Sequence, residues 1–251
     1  MAGGVLRPGK GFTTGLEERS LNRRMENTNK YVQELYEYAA LHGLPEESLL
    51  TKQNLDRYVY TAVDSFRDYP LFQYLFKGDY IPGVFAHMLT VDFRNRIPNF
   101  AGLSDSSKYR SIILLDPPEA EKPGMGDYLK TSTFLDYLLV LVPALHRMEK
   151  FEDYALNERK PFMNNKTWYL YIFTTRKKAA GRGYGSRVMK TLLGFAEEKG
   201  YRICLETNDE VNIGLYEHFG FRLMLRTNYK DVLEHYIMLY SPGQTQGKNQ
   251  K

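Results

Sequence analysis

The stretch Trp168–Gly200, WYLYIFTTRKKAAGRGYGSRVMKTLLGFAEEKG, contains three segments of different physical character. Trp168–Thr175 (WYLYIFTT) is dense in aromatic and β-branched residues, which suit a packed, pleated surface, and it reads as a strand. RKKAAGRGYG then breaks the strand with four cations and three glycines. From Ser186 to Lys199 the apolar residues return at helical spacing. Val188, Leu192 and Ala196 follow one another at i+4, as do Met189 and Leu193, and Gly200 stands where a C-terminal cap belongs. A strand, a glycine turn and an amphipathic helix in that order present bare main-chain N–H groups and the positive end of a helix dipole to an anion. Gly181, Gly183 and Gly185 have no Cβ, so phosphate oxygens can approach the main chain, and Lys177, Lys178 and Arg182 add positive charge nearby. The stretch predicts a pyrophosphate site. The bland alternative is a tight turn with glycines for geometry and cations on the surface.

Downstream, Arg202–Thr207 reads as a second strand and Val211–Phe219 as a short helix stopped by Gly220. Two more strands follow, Phe221–Arg226 and Glu234–Tyr240. Upstream, apolar spacing predicts helices over Asn29–His42, Asn54–Arg67 and Val84–Arg94. Strands are expected at Asn99–Leu103 and Tyr109–Leu115, the second ended by Pro117 and Pro118. Residues 119–133 read as loop, and Phe134–Tyr154 as an apolar helix kinked at Pro143. Residues 1–24 and 241–251 lack apolar periodicity and are expected to form a flexible arm and a disordered tail.

With 251 residues, 43% hydrophobic and 25% charged, the chain is long enough and apolar enough for one substantial domain. The lone Cys204 excludes a disulfide framework and lies mid-strand between apolar neighbours, which predicts a buried, inert thiol. The five histidines are scattered without metal-ligand spacing, so no metal is expected. No apolar run is long enough for a membrane span, and no signal-like segment opens the chain; the expectation is a cytoplasmic protein without a membrane partner. A net charge of +4 is too mild to imply nucleic acid, and Arg176–Lys178 lacks the interleaved aromatics that stack bases.

A Walker A loop is excluded because no Gly-Lys-Ser/Thr follows at the required spacing. A dinucleotide fingerprint would need glycine where Ser186 stands, although Glu206 lies where a ribose-binding acid would. Strand, Gly181-Arg182-Gly183-Tyr184-Gly185-Ser186 and helix, followed by Asn212-Ile213-Gly214-Leu215-Tyr216-Glu217-His218-Phe219-Gly220-Phe221, resemble the GNAT superfamily of acyl-CoA-dependent N-acetyltransferases. LETNDEVNIGLYEHFGF is similar to a branch that includes puromycin acetyltransferase-like proteins. The close likeness spans Trp168–Met224. It departs from the family at Ala180, where Gln or Arg is usual, and at Lys177, where proline is frequent.

The resemblance implies an α/β (α+β) fold: a mixed, mostly antiparallel sheet of about six to seven strands, with helices on both faces. It implies one domain over 25–240, with residues 25–166 on the acceptor side and 167–240 binding acetyl-CoA. Phe173, Thr174 and Thr175 would pair with the pantetheine amides through their main chain. The turn Gly181, Arg182, Gly183, Tyr184, Gly185 and Ser186, with Lys178 beside it, would hold the pyrophosphate. Asn212 would touch the pantetheine arm, and Tyr216 would protonate the departing sulfur as general acid. An alkylammonium with pKa near 10.4 also needs a base; Glu206 is the candidate by topology, an exposed strand-end acid being the alternative. The acceptor would be a small-molecule primary amine, the protein a monomer or homodimer. Tyr69, Phe72, Tyr74, Phe76, Tyr80 and Phe85 would form either an aromatic-walled acceptor pocket or ordinary core, and Tyr169 and Tyr171 either line the acceptor cleft or pack. A non-catalytic acyl-CoA sensor and a dinucleotide-binding enzyme are the competing readings.

Overall fold

The computed structural model describes residues 29–77, 81–97, 99–120 and 143–243. The expected arm, most of the tail, Tyr80 and the 121–142 part of the expected loop and helix lie outside the described residues. Helix α1 (Lys30–Leu41) is opened by Asn29, whose side chain accepts from the Tyr31 N–H at 2.9 Å, and it buries Val32, Leu35, Tyr36 and Ala39. Helix α2 (Leu55–Ser65) follows. Helix α3 (Pro70–Phe76) is absent from the sequence expectations; Pro70 occupies its first turn, where a missing N–H costs nothing. Helix α4 (Pro82–Arg96) precedes the hairpin of β1 (Ala101–Ser104) and β2 (Ser111–Asp116). Helix α5 runs Pro143–Arg159, beyond the expected end at Tyr154. Then come β3 (Thr167–Thr175), α6 (Tyr184–Lys199), β4 (Arg202–Thr207), α7 (Val211–His218), β5 (Arg222–Tyr229) and β6 (Leu233–Tyr240).

The strands form one six-stranded sheet in the order β1-β2-β3-β4-β6-β5. Among the described strands only the central β3–β4 pair is parallel, so the sheet is mixed and mostly antiparallel, as expected. One parallel pair cannot make a doubly wound nucleotide sheet, and the dinucleotide reading falls with it. Helices cover both faces. Ile113, Leu115, Trp168 and Leu170 pack with α1 and α6, while Ile112, Leu114 and Ile172 pack with α2, α3 and α4. Both faces of β2 are therefore buried, which is why SIILLD shows no polar alternation. Cys204 is fully buried, and burial pushes its thiol up to about 12, consistent with an inert core residue.

Candidate active site

The two central strands part company halfway along. Thr167–Leu170 pairs with Arg202–Leu205, but β3 then continues to Thr175 beside β2 alone, and β4 continues through Glu206 and Thr207 beside β6. Tyr171 marks the divergence: Leu114 pairs with Ile172 and Leu115 with Leu170, leaving Tyr171 as the extra residue of a bulge that bends the strand. The Arg176 N–H donates to the Arg110 carbonyl at 2.8 Å, so by antiparallel alternation Thr174 also faces β2, while the main-chain groups of Phe173 and Thr175 face the gap. Ser65 Oγ reaches across from α2 to the Thr175 carbonyl at 3.3 Å. A cavity of about 780 Å³ occupies this gap and runs from the glycine turn to Glu206.

At the cavity's mouth, Gly181 and Gly183 have φ of 74° and 79°, a region that costs other residues strain, and Gly183 is the N-cap of α6. No side chain caps that helix, and its first intrahelical bond comes from the Arg187 N–H, leaving the Tyr184, Gly185 and Ser186 donors turned to the cavity. A Cβ on Gly185 would stand 3.1 Å from both Phe173 Cζ and Thr175 Oγ1, so glycine there keeps the cradle open. The cations around the turn divide into two sets. Lys177 pairs with Asp68, and Arg176 donates to Thr61 Oγ1 at 3.0 Å, which ties both to the α2–α3 region; Lys178 and Arg182 are exposed and do not line the cavity. Arg110, not singled out from sequence, lies 3.6 Å over the Tyr184 ring while paired with the buried Asp105.

Tyr216 lies buried in the cavity wall, its ring 6.2 Å from Phe173 and 5.7 Å from Phe221. Burial, and then the neighbouring Tyr69 phenol, raise its pKa above the usual 10, so it stays protonated across the neutral range. Asn212 also lines the cavity and donates to Thr207 Oγ1 at 3.1 Å. Thr207 Oγ1 is 3.1 Å from the Tyr69 hydroxyl, which accepts from the Asn208 N–H at 2.7 Å. Tyr69 thereby fastens the start of α3 to the end of β4. Burial lifts its pKa to about 12.

At the far end stands Glu206. It accepts from Arg159 Nη1 at 3.0 Å on one oxygen and from the Tyr169 hydroxyl at 3.1 Å on the other. Burial raises its pKa, opposed by Arg159. It is thus a nearly buried, ion-paired carboxylate rather than an exposed strand-end acid. Of the aromatic set, Phe85 and Phe76 belong to the core, Tyr74 packs on Tyr229, and Tyr69 and Phe72 line the cavity, as do Tyr169 and Tyr171. Sequence reasoning did not find Arg159, Glu152 or Ser65; partners so distant along the chain leave no local spacing signal.

His235 is fully buried behind this end, and burial, with Arg159 adding, lowers its pKa to about 4. A depressed histidine contributes stability present above about pH 6.5 and lost as pH falls towards 4, at most about 3 kcal/mol from this shift. Urea midpoints should therefore drop between pH 7 and pH 4.5, and His235→Gln should flatten that slope. An unaltered slope in the variant would exclude His235 as its source.

Among the described residues, no group of His, Cys, Asp and Glu could hold a metal, and no helix is long and apolar enough to cross a membrane. Residues 151–221 match the Acetyltransferase (GNAT) family. An uncharacterized N-acetyltransferase of Schizosaccharomyces pombe is 31% identical over 84 residues, 32% of this chain and 33% of that protein. The chain thus matches about a third of that relative's length. The C-terminal condensation domain of Ebony, in complex with beta-alanyl-dopamine, superposes with a TM-score of 0.53 at 12% identity, covering 77% of this chain and 96% of its own. A structure described as histone acetyltransferase HPA2 and related acetyltransferase from Corynebacterium glutamicum gives 0.50 at 18% identity, covering 78% and 97%. At such identities these structures establish the fold alone. The family match itself is confined to residues 151–221, and the likeness to these structures extends over the fold. The puromycin acetyltransferase-like likeness remains a resemblance of the 205–221 segment.

Proposed function

We propose that this protein is an acetyl-CoA-dependent N-acetyltransferase that acts on a primary amine of a small molecule. The observation that carries the reading is the gap between β3 and β4, which has uncapped N–H groups of α6 at one end and Tyr216 in its wall. The residues fit the cofactor. The first-turn donors of α6 suit a diphosphate, the open edge at Phe173 and Thr175 suits an amide-bearing chain, and glycine at 185 leaves room for both. Residues 167–240 would form the cofactor-binding half and residues 25–166 the acceptor side of one domain.

Bound acetyl-CoA supplies a thioester whose carbonyl an amine can attack and whose sulfur can leave. Tyr216, held protonated by burial, donates its proton at that sulfur. Glu206, made more basic by burial and oriented by Arg159 and Tyr169, takes the proton from the incoming ammonium, through a water where the reach requires one. Asn212, fixed by Thr207, orients the arm that carries the thioester.

Acetyl-CoA at 100 times its dissociation constant should raise unfolding stability by about 2.7 kcal/mol in a thermal-shift measurement, with free CoA close behind. Stabilisation by NAD but not by acetyl-CoA would overturn the reading. A sensor that binds acetyl-CoA would release no thiol with any amine offered; an enzyme would.

A further inference from the structure

We infer that the acceptor is an amine carrying no carboxylate or other acidic group, an inference that rests on the acetyltransferase reading. Among the described residues that line the cavity there is no Lys, Arg or His, while Asp68, Glu152, Glu206 and Asp209 all contribute to its wall. Two guanidinium groups that contact the lining tyrosines Tyr169 and Tyr171, among the described residues, are committed elsewhere. Arg159 has 4% of its side chain exposed, is bound to Glu206 and lies 4.0 Å behind the Tyr169 ring. Arg96, 8% exposed, is held by Asp92 and Asp116 and lies 4.6 Å behind the Tyr171 ring. Tyr169 and Tyr171 therefore stand as a screen, with guanidinium behind and the cavity in front.

Two consequences follow for a ligand. A protonated amine approaching the site meets carboxylates and aromatic rings, both of which attract cations. A carboxylate brought into the same space loses water and finds no Lys, Arg or His among the described lining residues. The cations paired with the lining acids Asp68 and Glu206, Lys177 and Arg159, are already committed to them, and Glu152 and Asp209 add charge of its own sign. The two guanidinium groups cannot swing forward, because each is already bonded to carboxylates within a packed wall. The wall between the acids is apolar, with Phe66, Phe72, Leu89, Met148 and Phe151, which favours an amine on an aromatic or alkyl body.

The test compares matched acceptors in a thiol-release assay with acetyl-CoA: tyramine against tyrosine, phenethylamine against phenylalanine, cadaverine against lysine. Tyrosine methyl ester serves as a control for bulk. The decarboxylated member of each pair that reacts should have kcat/KM higher on the order of 100-fold, and the ester should lie within about tenfold of tyramine. Equal rates for amine and amino acid would overturn the inference while leaving the acetyltransferase reading intact, and so would an ester as poor as tyrosine, since size would then be deciding. If no compound releases thiol although acetyl-CoA stabilises the protein, the catalytic reading fails. Thermal shifts with the same pairs then decide the cavity's preference, and no amine-over-amino-acid difference there would overturn it as well.

Discussion

Tyr216→Phe is expected to lower kcat for acetyl transfer by about 100- to 10,000-fold while leaving the Kd for acetyl-CoA nearly unchanged. The variant deletes one oxygen and keeps the ring that packs against Phe173 and Phe221. Folding stability should therefore move by no more than about 1 kcal/mol, the net worth of a typical hydroxyl contact. The proton at issue is firmly held, because burial and the neighbouring Tyr69 phenol both disfavour a phenolate at position 216. Such a group serves as a donor at neutral pH and not as a base. Steady-state kinetics beside a binding titration separate the outcomes. Loss of turnover with retained affinity supports proton donation, whereas unaltered turnover removes Tyr216 from the mechanism. A parallel loss of affinity would assign it to cofactor binding instead.

Local periodicity carried most of the fold. Helix α6 begins at Tyr184 rather than Ser186 and ends on Gly200, whose φ of 72° is the left-handed cap that glycine favours. Helix α3 escaped because PLFQYLF is apolar nearly throughout and so shows no polar stripe; only Pro70 signals a helix start. The hairpin between β5 and β6 is tighter than expected, because β5 runs to Tyr229 and the turn places Lys230 and Asp231 at positive φ without a glycine to announce it.

The site was legible where its parts are contiguous and illegible where they are not. The glycine turn and the segment from Asn212 to Phe221 each lie within one short run, and the cavity brings them together. The gap itself depends on the Tyr171 bulge and on strands ending beside different partners, which is a property of non-local register. Pairings such as Lys177 with Asp68, Tyr69 with Thr207 and Arg159 with Glu206 join residues far apart in the chain. That is why neither the Asp68 partner of Lys177 nor the neighbours of Glu206 could be named from sequence.

Arg159→Met should destabilise the protein by about 3–5 kcal/mol, because it leaves the Glu206 carboxylate nearly buried without its cation. The side chains of Arg159 and Glu206 are only 4% and 9% exposed, so solvent cannot replace the lost partner. The loss also has a pH signature. Without Arg159, the main opposition to the burial that raises the Glu206 pKa is gone, so that pKa rises further. The deficit is then fully present at high pH and shrinks as Glu206 takes up a proton on acidification. Replacing the acid as well, in Arg159→Met with Glu206→Gln, removes the stranded charge and should recover most of the stability measured by urea denaturation. A single variant that costs under about 1 kcal/mol, or a double variant no better than the single, would show that the pair does not hold this wall together. Because Arg159 sits behind Tyr169 and outside the cavity lining, acetyl-CoA affinity should survive in both variants, whereas turnover should fall in the double variant if Glu206 accepts the amine's proton.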